Sequence, residues 1–374
     1  MTASTAQATA RVLHFVDALL RGGAERLVVE LATRTDRQRF DPAVATFRQE
    51  AFAEELAAAR RPVHVVPKRR PFDLRLVLAL RRLLRRQGVA LVHAHDIQSA
   101  TYGALAARLV RVPVVLTVHG LGIFRQKRSA TILPRLVRWL DRVAFVGHWL
   151  ERAAAEDFGV RPRHPMVVHN GVDIEAFRPR EPEPQVLAEL GLDPDAPVVG
   201  TVGNLRGVKD YPCLLRAFAV ARARVPGAVL VFVGDGEERA RLEALAGELG
   251  VGPAVRFAGA RSDVARLLPA FDLFALSSTT EGISVALLEA MACGLPPVVT
   301  RTGGNPEVVD EACGRLVPVG QPQALGEALA ELLAEPRKRQ ALGAEARARV
   351  ERDFSMERMV RDYEATYESL LSAR

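Results

Sequence analysis

The feature that most constrains this chain is a rhythm of short apolar runs separated by longer amphipathic stretches. Val12–Val16, Ala43–Phe47, Val63–Val66, Leu91–His93, Val114–Val118, Val143–Val146 and Met166–His169 read as buried strands. Helical patterns such as Phe72–Arg86 and Ile97–Val110 lie between them. Strands alternating with helices in this order predict an α/β fold with a parallel sheet covered on both faces. A break follows at Arg178–Pro184, which reads R-P-R-E-P-E-P, with Pro194 and Pro197 close behind. Proline at that density neither joins a ladder nor continues a helix, so a linker is expected over 175–196. The rhythm then restarts, with strands at Val198–Val202, Val229–Val233, Val255–Ala258, Leu273–Leu276 and Pro297–Thr300, and Gln323–Leu371 is almost wholly helical in pattern. Two α/β domains are expected, 1–174 and 197–354, and 374 residues suffice for two cores.

Composition removes several classes. With 49% hydrophobic and 25% charged residues the chain is an ordinary globular one, not a disordered or fibrous one. Cys213, Cys293 and Cys313 form no C-x-x-C pair, so neither a disulfide framework nor a cysteine metal site is expected, and a reduced cytoplasmic setting fits. The small, uncharged residues Met1–Ala10 run straight into the first strand, so no signal peptide is expected, and no apolar stretch reaches the length of a transmembrane helix. Aromatic residues are 6% and do not interleave with the arginine runs, which disfavours nucleic-acid binding.

Two motifs suggest chemistry. Gly22-Gly23-Ala24-Glu25 follows the first strand and opens a helix, where glycines let backbone amides approach an anion; a plain tight turn is the alternative. The spacing is not the G-x-G-x-x-G of a dinucleotide site, which disfavours a dehydrogenase. In the second half, Glu281-Gly-Ile-Ser-Val-Ala-Leu-Leu-Glu289 places one carboxylate in a loop and another two turns into an apolar helix. Carboxylates accept hydrogen bonds from sugar hydroxyls, and one beside Leu287, Leu288 and Met291 needs a partner.

The segment from Ser277 to Glu307, S-S-T-T-E-G-I-S-V-A-L-L-E-A-M-A-C-G-L-P-P-V-V-T-R-T-G-G-N-P-E, resembles the E-x7-E region of the retaining glycosyltransferases of family GT4. Further landmarks of that family occur in order: Gly200–Phe218, Gly234-Asp235-Gly236-Glu237, Val168–Asp173 with its N-G-V-D, His93-Ala-His95-Asp96, and Thr117-Val-His119-Gly120. The resemblance covers nearly the whole chain. It implies a GT-B architecture, two Rossmann-like domains facing across a cleft, with the last helix, 355–374, returning to the first domain. It implies a donor nucleotide sugar held mostly by the second domain and an acceptor, a carbohydrate or a lipid-linked one, mostly by the first.

Carried onto this sequence, the resemblance gives Glu289 the ribose hydroxyls and puts Glu281 beside the donor sugar. The amides of Ile283, Ser284 and Val285 would face the diphosphate or sugar. Arg206 and Lys209 would neutralise the leaving diphosphate, without any metal or cofactor. Gly22, Gly23 and Gly234 complete the expected donor side, with the base met by backbone contacts near Ala260 and Arg261. His119 would hydrogen-bond a sugar hydroxyl or the acceptor, and His93, His95 and Asp96 would lie on the acceptor side. Asp96 is the only carboxylate near the two histidines, which does not suit a metal. Two positions depart from the family pattern: Asn204 where many relatives carry Arg, and Ser284 where many carry Gly. Within the architecture a phosphorylase, a nucleotide-sugar 2-epimerase and a non-enzymatic sugar-binding protein remain open. The family's chemistry retains anomeric configuration, with the leaving phosphate helping to deprotonate the acceptor on the same face.

The net charge of +7 hides a division. Residues 1–170 carry 28 Lys/Arg against 14 Asp/Glu, and residues 171–374 carry 23 against 30. Runs such as Lys68-Arg-Arg70, Arg81–Arg86 and Arg125–Arg128 read first as solvated surfaces. A strongly basic acceptor-side half also suits an anionic acceptor, such as a lipid-linked phosphate, and an anionic membrane surface at the inner leaflet.

Overall fold

A computed structural model describes residues 9–19, 23–48, 52–69, 73–125 and 127–373. The chain divides into two compact units, residues 1–170 with 356–374, and residues 171–355. The first unit is built on a seven-stranded sheet: β1 (Ala10–Ala18), β2 (Phe40–Arg48), β3 (Val63–Val65), β4 (Val89–Ala94), β5 (Val114–Val118), β6 (Arg142–Phe145) and β7 (Pro165–Val167), in the order 3-2-1-4-5-6-7. The second is built on β8 (Val198–Val202), β9 (Val229–Val233), β10 (Val255–Phe257), β11 (Leu273–Leu276), β12 (Pro297–Thr300) and β13 (Arg315–Val317), in the order 10-9-8-11-12-13. Every pairing between these strands is parallel. Strand order reverses between β1 and β4 in one sheet and between β8 and β11 in the other; open α/β sheets bind ligands at such points, beyond the carboxyl ends of the strands.

Both faces of each sheet are filled, as the near-continuous apolar runs predict. In the first unit Leu13, Phe15, Val92, Ala94, Leu116 and Val118 pack against the helices Leu74–Arg86 and Ile97–Arg108. In the second unit one face sets Leu230, Phe232, Leu273 and Ala275 against the helices Tyr211–Arg224 and Pro322–Ala334. The other sets Val231, Val233, Phe274 and Leu276 against the apolar helix Val285–Ala292.

The opposite face of the first sheet carries polar residues. Strand residues two apart share a face, and the register pairs His14 with His93 and His93 with Val115. His14, His93, His95, Thr117 and His119 therefore lie on one side. The helix Met356–Ser372 covers part of it. Tyr367 Oη lies 2.6 Å from His93 Nδ1, Tyr363 Oη lies 2.8 Å from Thr117 Oγ1, and Thr117 Oγ1 lies 2.7 Å from His93 Nε2. Glu364, itself buried, accepts from the Asp36 amide at 2.7 Å and pairs with Arg39 at 3.1 Å. The chain thus leaves this unit after Asn170 and re-enters it at Met356.

Two expectations change here. The stretch 175–196 is not a free linker but part of the second unit. Pro184 opens a helix to Leu190 at the first-turn position where its missing N–H costs nothing. Val186 and Leu190 are buried in that unit's core, and Arg347 holds the carbonyls of Ile174 and Phe177. The helical tail is three helices, Pro322–Ala334, Pro336–Asp353 and Met356–Ser372, the first break falling at Glu335, which the following proline holds out of the helical region. The edge strand Arg315–Val317 is too short to show a pattern in the sequence.

Because Tyr367 supplies the partner of a fully buried imidazole nitrogen, Tyr367→Phe should destabilise the first unit by about 1–3 kcal/mol, read as a lowered denaturant midpoint with secondary structure intact.

Candidate active site

At the switch point of the second sheet, the loops after β8 and β11 are stitched together. Ser277 Oγ donates to the Lys209 carbonyl at 2.8 Å, and the Thr279 amide donates to the Val208 carbonyl at 2.9 Å. Between them Lys209 Nζ donates to Glu281 Oε1 at 2.6 Å, and Ser278 Oγ donates to the same oxygen at 2.6 Å. The two charged side chains are 19% and 12% exposed, so solvent screens their attraction less than at an open surface. Both donors use Oε1, and no described residue takes Glu281 Oε2. Arg206 begins the short turn Gly207–Lys209, is exposed, and meets no carboxylate among the described residues. The loop pair therefore holds one neutralised cation and one unneutralised one.

Next to it begins the helix Val285–Ala292. Ser284 caps it, Oγ accepting from the Leu287 amide at 3.4 Å. The first amides of a helix have no partner within it, and those of Val285 and Ala286 find no acceptor among the described residues. They form the positive end of the helix dipole. Ile283 is buried beneath, and Glu289 lies half-buried one turn along the same helix. The Glu281 loop is also braced from below. Gly303 has φ of +54°, and a Cβ there would lie 1.9 Å from the Glu281 carbonyl oxygen, so only glycine allows this approach.

Several expected residues have other occupations. The Gly234 amide donates to the Gly259 carbonyl at 2.8 Å, and a Cβ on Gly234 would lie 2.0 Å from the Gly203 carbonyl oxygen. Gly234 thus lets two loops touch, and its N–H is not available to a donor phosphate. The Arg261 guanidinium pairs with Asp263 and Glu189 at 2.7 and 2.8 Å, in a cluster shared with Arg266 and Glu183, so its side chain serves the surface of this unit while the backbone expected to meet the base is not engaged by these pairs. Gly23 is the exposed first residue of the helix Gly23–Arg34, and Gly22 lies outside the described residues.

In the first unit Asp96 is a helix cap rather than an acceptor-side group. Its Oδ1 accepts from the amides of Gln98 and Ser99 at 2.8 and 2.9 Å, and its Oδ2 from the Asp17 amide at 2.7 Å. Burial still raises its pKa. His93 is likewise a core residue, fully buried between Tyr367 and Thr117. His95 and His119 follow directly after the carboxyl ends of β4 and β5. His95 Nδ1 lies 3.3 Å from His119 Nε2, and His95 Nε2 lies 3.1 Å from His14 Nδ1. Nitrogens of His14, His93 and His95 all lie within 4.8 Å of one another. Both nitrogens of His93 and of His95 already have partners, and that donor set does not suit an ion. Residue-by-residue reading missed His14, although a histidine inside V-L-H-F-V announces a buried polar group in need of a partner.

Desolvation holds all four imidazoles neutral. His119 is lowered to about 4, His14 to about 3 with help from the Arg61 charge, and His93 and His95 lie well below the ordinary histidine value.

Two parallel-sheet Rossmann-like units, with a cation–carboxylate pair and an open helix start at a switch point, define the class as a GT-B nucleotide-sugar-type fold. Residues 183–349 match the family model described as glycosyl transferases group 1, and residues 21–176 match that of glycosyltransferase family 4. The chain is 32% identical over 310 residues, 80% of either chain, to N-acetyl-alpha-D-glucosaminyl L-malate synthase of Bacillus anthracis. It is 32% identical, over 66% of this chain and 67% of the other, to a GDP-mannose-dependent monoacylated alpha-(1-6)-phosphatidylinositol monomannoside mannosyltransferase of Corynebacterium glutamicum. Its fold matches Anabaena HepE, solved with UDP and glucose, with a TM-score of 0.83 at 24% identity, covering 96% of this chain and 99% of that one. The chain belongs to the family 4, group 1 glycosyltransferases and is a glycosyltransferase; the reading as a non-enzymatic sugar-binding protein is set aside.

Two outcomes follow. Ser284→Ala should cost about 1 kcal/mol of stability and Ser284→Gly only a few tenths, checked by denaturant titration. Each of the four buried histidines has a folded pKa below its unfolded one, so the unfolded state binds more protons once pH drops below about 6.5. Stability should be full above that pH and fall towards pH 4, by up to about 1.4 kcal/mol per pH unit for each histidine. A thermal midpoint that stayed flat from pH 7.5 to 5 would contradict this.

Proposed function

We propose that the enzyme moves a sugar from a nucleoside diphosphate to a hydroxyl of a lipid-linked or polysaccharide acceptor, with retention of anomeric configuration and without a metal ion. The carrying observation is the Lys209–Glu281 pair beside exposed Arg206 and the start of the helix Val285–Ala292. In this reaction the anomeric C–O bond to the diphosphate breaks and the acceptor oxygen bonds the anomeric carbon on the same face. Negative charge grows on the leaving phosphate as it departs, and the acceptor proton passes to that phosphate. Arg206, Lys209 and the amides of Val285 and Ala286 stabilise that charge, which is the role a divalent cation plays elsewhere. Glu281 Oε2 accepts from a sugar hydroxyl while Oε1 stays with Lys209 and Ser278. Glu289, on the same helix, takes the ribose hydroxyls, and His119 in the first unit contacts sugar or acceptor.

The basic first half supports a lipid-linked acceptor at the inner leaflet. On the helix Leu74–Arg86, Leu76, Val77, Leu80 and Leu84 face the core, while Leu74, Arg75, Leu78, Arg82 and Arg85 are exposed. Trp139 is 62% exposed with the Arg108 guanidinium 5.6 Å over its ring. Exposed apolar and basic groups side by side suit peripheral attachment, each cation near an anionic leaflet adding about 1 kcal/mol. The Corynebacterium glutamicum relative is a phosphatidylinositol monomannoside mannosyltransferase, and no helix among the described residues is long and apolar enough to cross a membrane.

A panel of nucleotide sugars scored for nucleotide release identifies the donor. Lys209→Ala should then lower kcat by roughly 10²–10³-fold with the fold retained, while a chelator leaves the rate unchanged and the product keeps the donor's anomeric configuration by NMR. Wild-type turnover in that variant would remove the diphosphate assignment. Separately, liposome co-sedimentation should rise with anionic lipid content and drop for Arg82→Glu/Arg85→Glu; binding indifferent to lipid charge counts against membrane attachment.

A further inference from the structure

Three imidazoles of the first unit form one unbranched row: His119 Nε2 to His95 Nδ1 at 3.3 Å, and His95 Nε2 to His14 Nδ1 at 3.1 Å. His93 stacks within the group, 4.2 Å from His95 by ring centroids, but spends both nitrogens on Thr117 and Tyr367, so it neither joins nor interrupts the row. The two terminal atoms, His119 Nδ1 and His14 Nε2, are buried and have no hydrogen-bond partner among the described residues.

A neutral imidazole has one N–H and one bare nitrogen. Each of the two contacts needs one proton, and three neutral rings supply three. The third proton must sit at one end of the row. Only two arrangements satisfy both contacts: all three rings protonated at Nδ1, or all three at Nε2. A mixed row leaves either two lone pairs or two protons facing each other. The proton position on His119 is therefore tied to that on His14, two rings away.

The surroundings of His14 decide between the two. The row runs across the sheet from β5 through β4 to β1, so His14 is its end on the side of β2 and β3, and Arg61, two residues before β3, lies on that side. The Arg61 Nε and Nη2 are buried without hydrogen-bond partners among the described residues, and burial together with the Arg61 charge lowers the His14 pKa. A positive charge at that end favours a bare nitrogen over an N–H. Among the described residues no carboxylate is hydrogen-bonded or ion-paired to His14, and the rings packed on it, His93, His95 and Tyr367, are uncharged.

We propose that His14 and His95 are positioning residues which hold His119 in the Nδ1–H form, making it a neutral hydrogen-bond donor at the carboxyl end of β5 rather than a proton acceptor. His14 donates to His95, His95 donates to His119, and the one proton left without a partner inside the protein is on His119 Nδ1. That N–H is the group to be satisfied by an oxygen of a bound sugar or acceptor. This contact rests on the transferase reading above; the proton pattern does not. In this state His119 cannot serve as the base that removes the acceptor proton, because its bare nitrogen is occupied by His95.

The test reads protons directly. In the wild-type protein labelled with ¹⁵N at histidine, long-range ¹⁵N–¹H correlation at pH 7.5 should show His14, His95 and His119 all as the Nδ1–H tautomer. A uniform Nε2–H set would overturn the direction of the row, and a mixed set would overturn the coupling itself. In His14→Leu the His119 nitrogen shifts should move towards a tautomer mixture, and kcat with the donor identified by the panel should drop roughly five- to tenfold, the scale of one hydrogen bond. Unchanged His119 shifts in a folded His14→Leu protein would sink the proposal. Should that variant not fold, the wild-type spectrum alone decides. An Nδ1–H row in a protein that releases no nucleotide from any donor would leave the row standing and remove the transferase chemistry. Transfer activity with a mixed row would do the reverse.

Discussion

The first unit depends on one constraint: a parallel sheet must be covered on both faces, and one of its faces here is polar. His14, His93 and Thr117 sit where leucine or valine would satisfy the sheet with no further demands. Their nitrogens and hydroxyl need partners that an ordinary apolar helix does not provide. Tyr363 and Tyr367 provide both a large apolar ring and a hydroxyl, and they arrive on the last helix of the chain. The return of residues 356–372 to the unit where the chain began is thus a requirement of hydrogen bonding as much as of apolar burial. It also explains why neutral imidazoles persist there: sealing the face removes the water that would stabilise their charge.

The second unit solves a different problem, which is to keep charge at the end of a sheet without losing order. Lys209 is held by Glu281, Glu281 by Ser278, and the two loops by the Ser277 hydroxyl and the Thr279 amide, each donating to a backbone carbonyl. Glycine at 303 and 234 lets neighbouring loops pass within van der Waals contact of these carbonyls, so the loops are fixed by backbone rather than by long side chains. A pair that is already ordered loses little entropy when it meets an anion, and the geometry at the helix start is likewise set in advance by the Ser284 cap. Preorganisation of that kind is what electrostatic stabilisation of a leaving group requires.

Much of this was legible in the sequence, and the reasons differ by residue. Strands buried on both faces show as apolar runs, so most strands were found close to their observed bounds, whereas Arg315–Val317 is a three-residue edge that periodicity cannot register. The ordered family motifs brought Arg206, Lys209, Glu281 and the helix start to one place in the chain, and these are the residues the second sheet gathers at its switch point. What spacing does not encode is which atoms are already taken. Asp96 reads like a binding carboxylate until its oxygens are counted against three amides. Gly234 reads like a phosphate-loop glycine until its amide is found on Gly259. Arg261 is expected to meet the base through its backbone, and the pairing of its guanidinium with Asp263 and Glu189 leaves that backbone untouched. Proline density suggested a linker at 175–196, where Pro184 instead starts a helix that the second core needs.

The departure at position 284 shows how one change can move a role without removing it. Glycine there would leave the helix start bare and let a ligand approach the backbone closely. The serine hydroxyl accepts from the Leu287 amide, satisfying one of the orphan donors of the first turn and leaving those of Val285 and Ala286 without an acceptor among the described residues. The anion-binding character of the helix start survives the substitution, because it belongs to the backbone. What changes is the space and the stiffness around it: a capped first turn frays less, and the Ser284 Cβ occupies volume that a glycine would yield to the sugar. On the proposed donor assignment, discrimination among donor sugars at this point is expected to be steric, and recognition of the diphosphate a matter of backbone amides and the two cations.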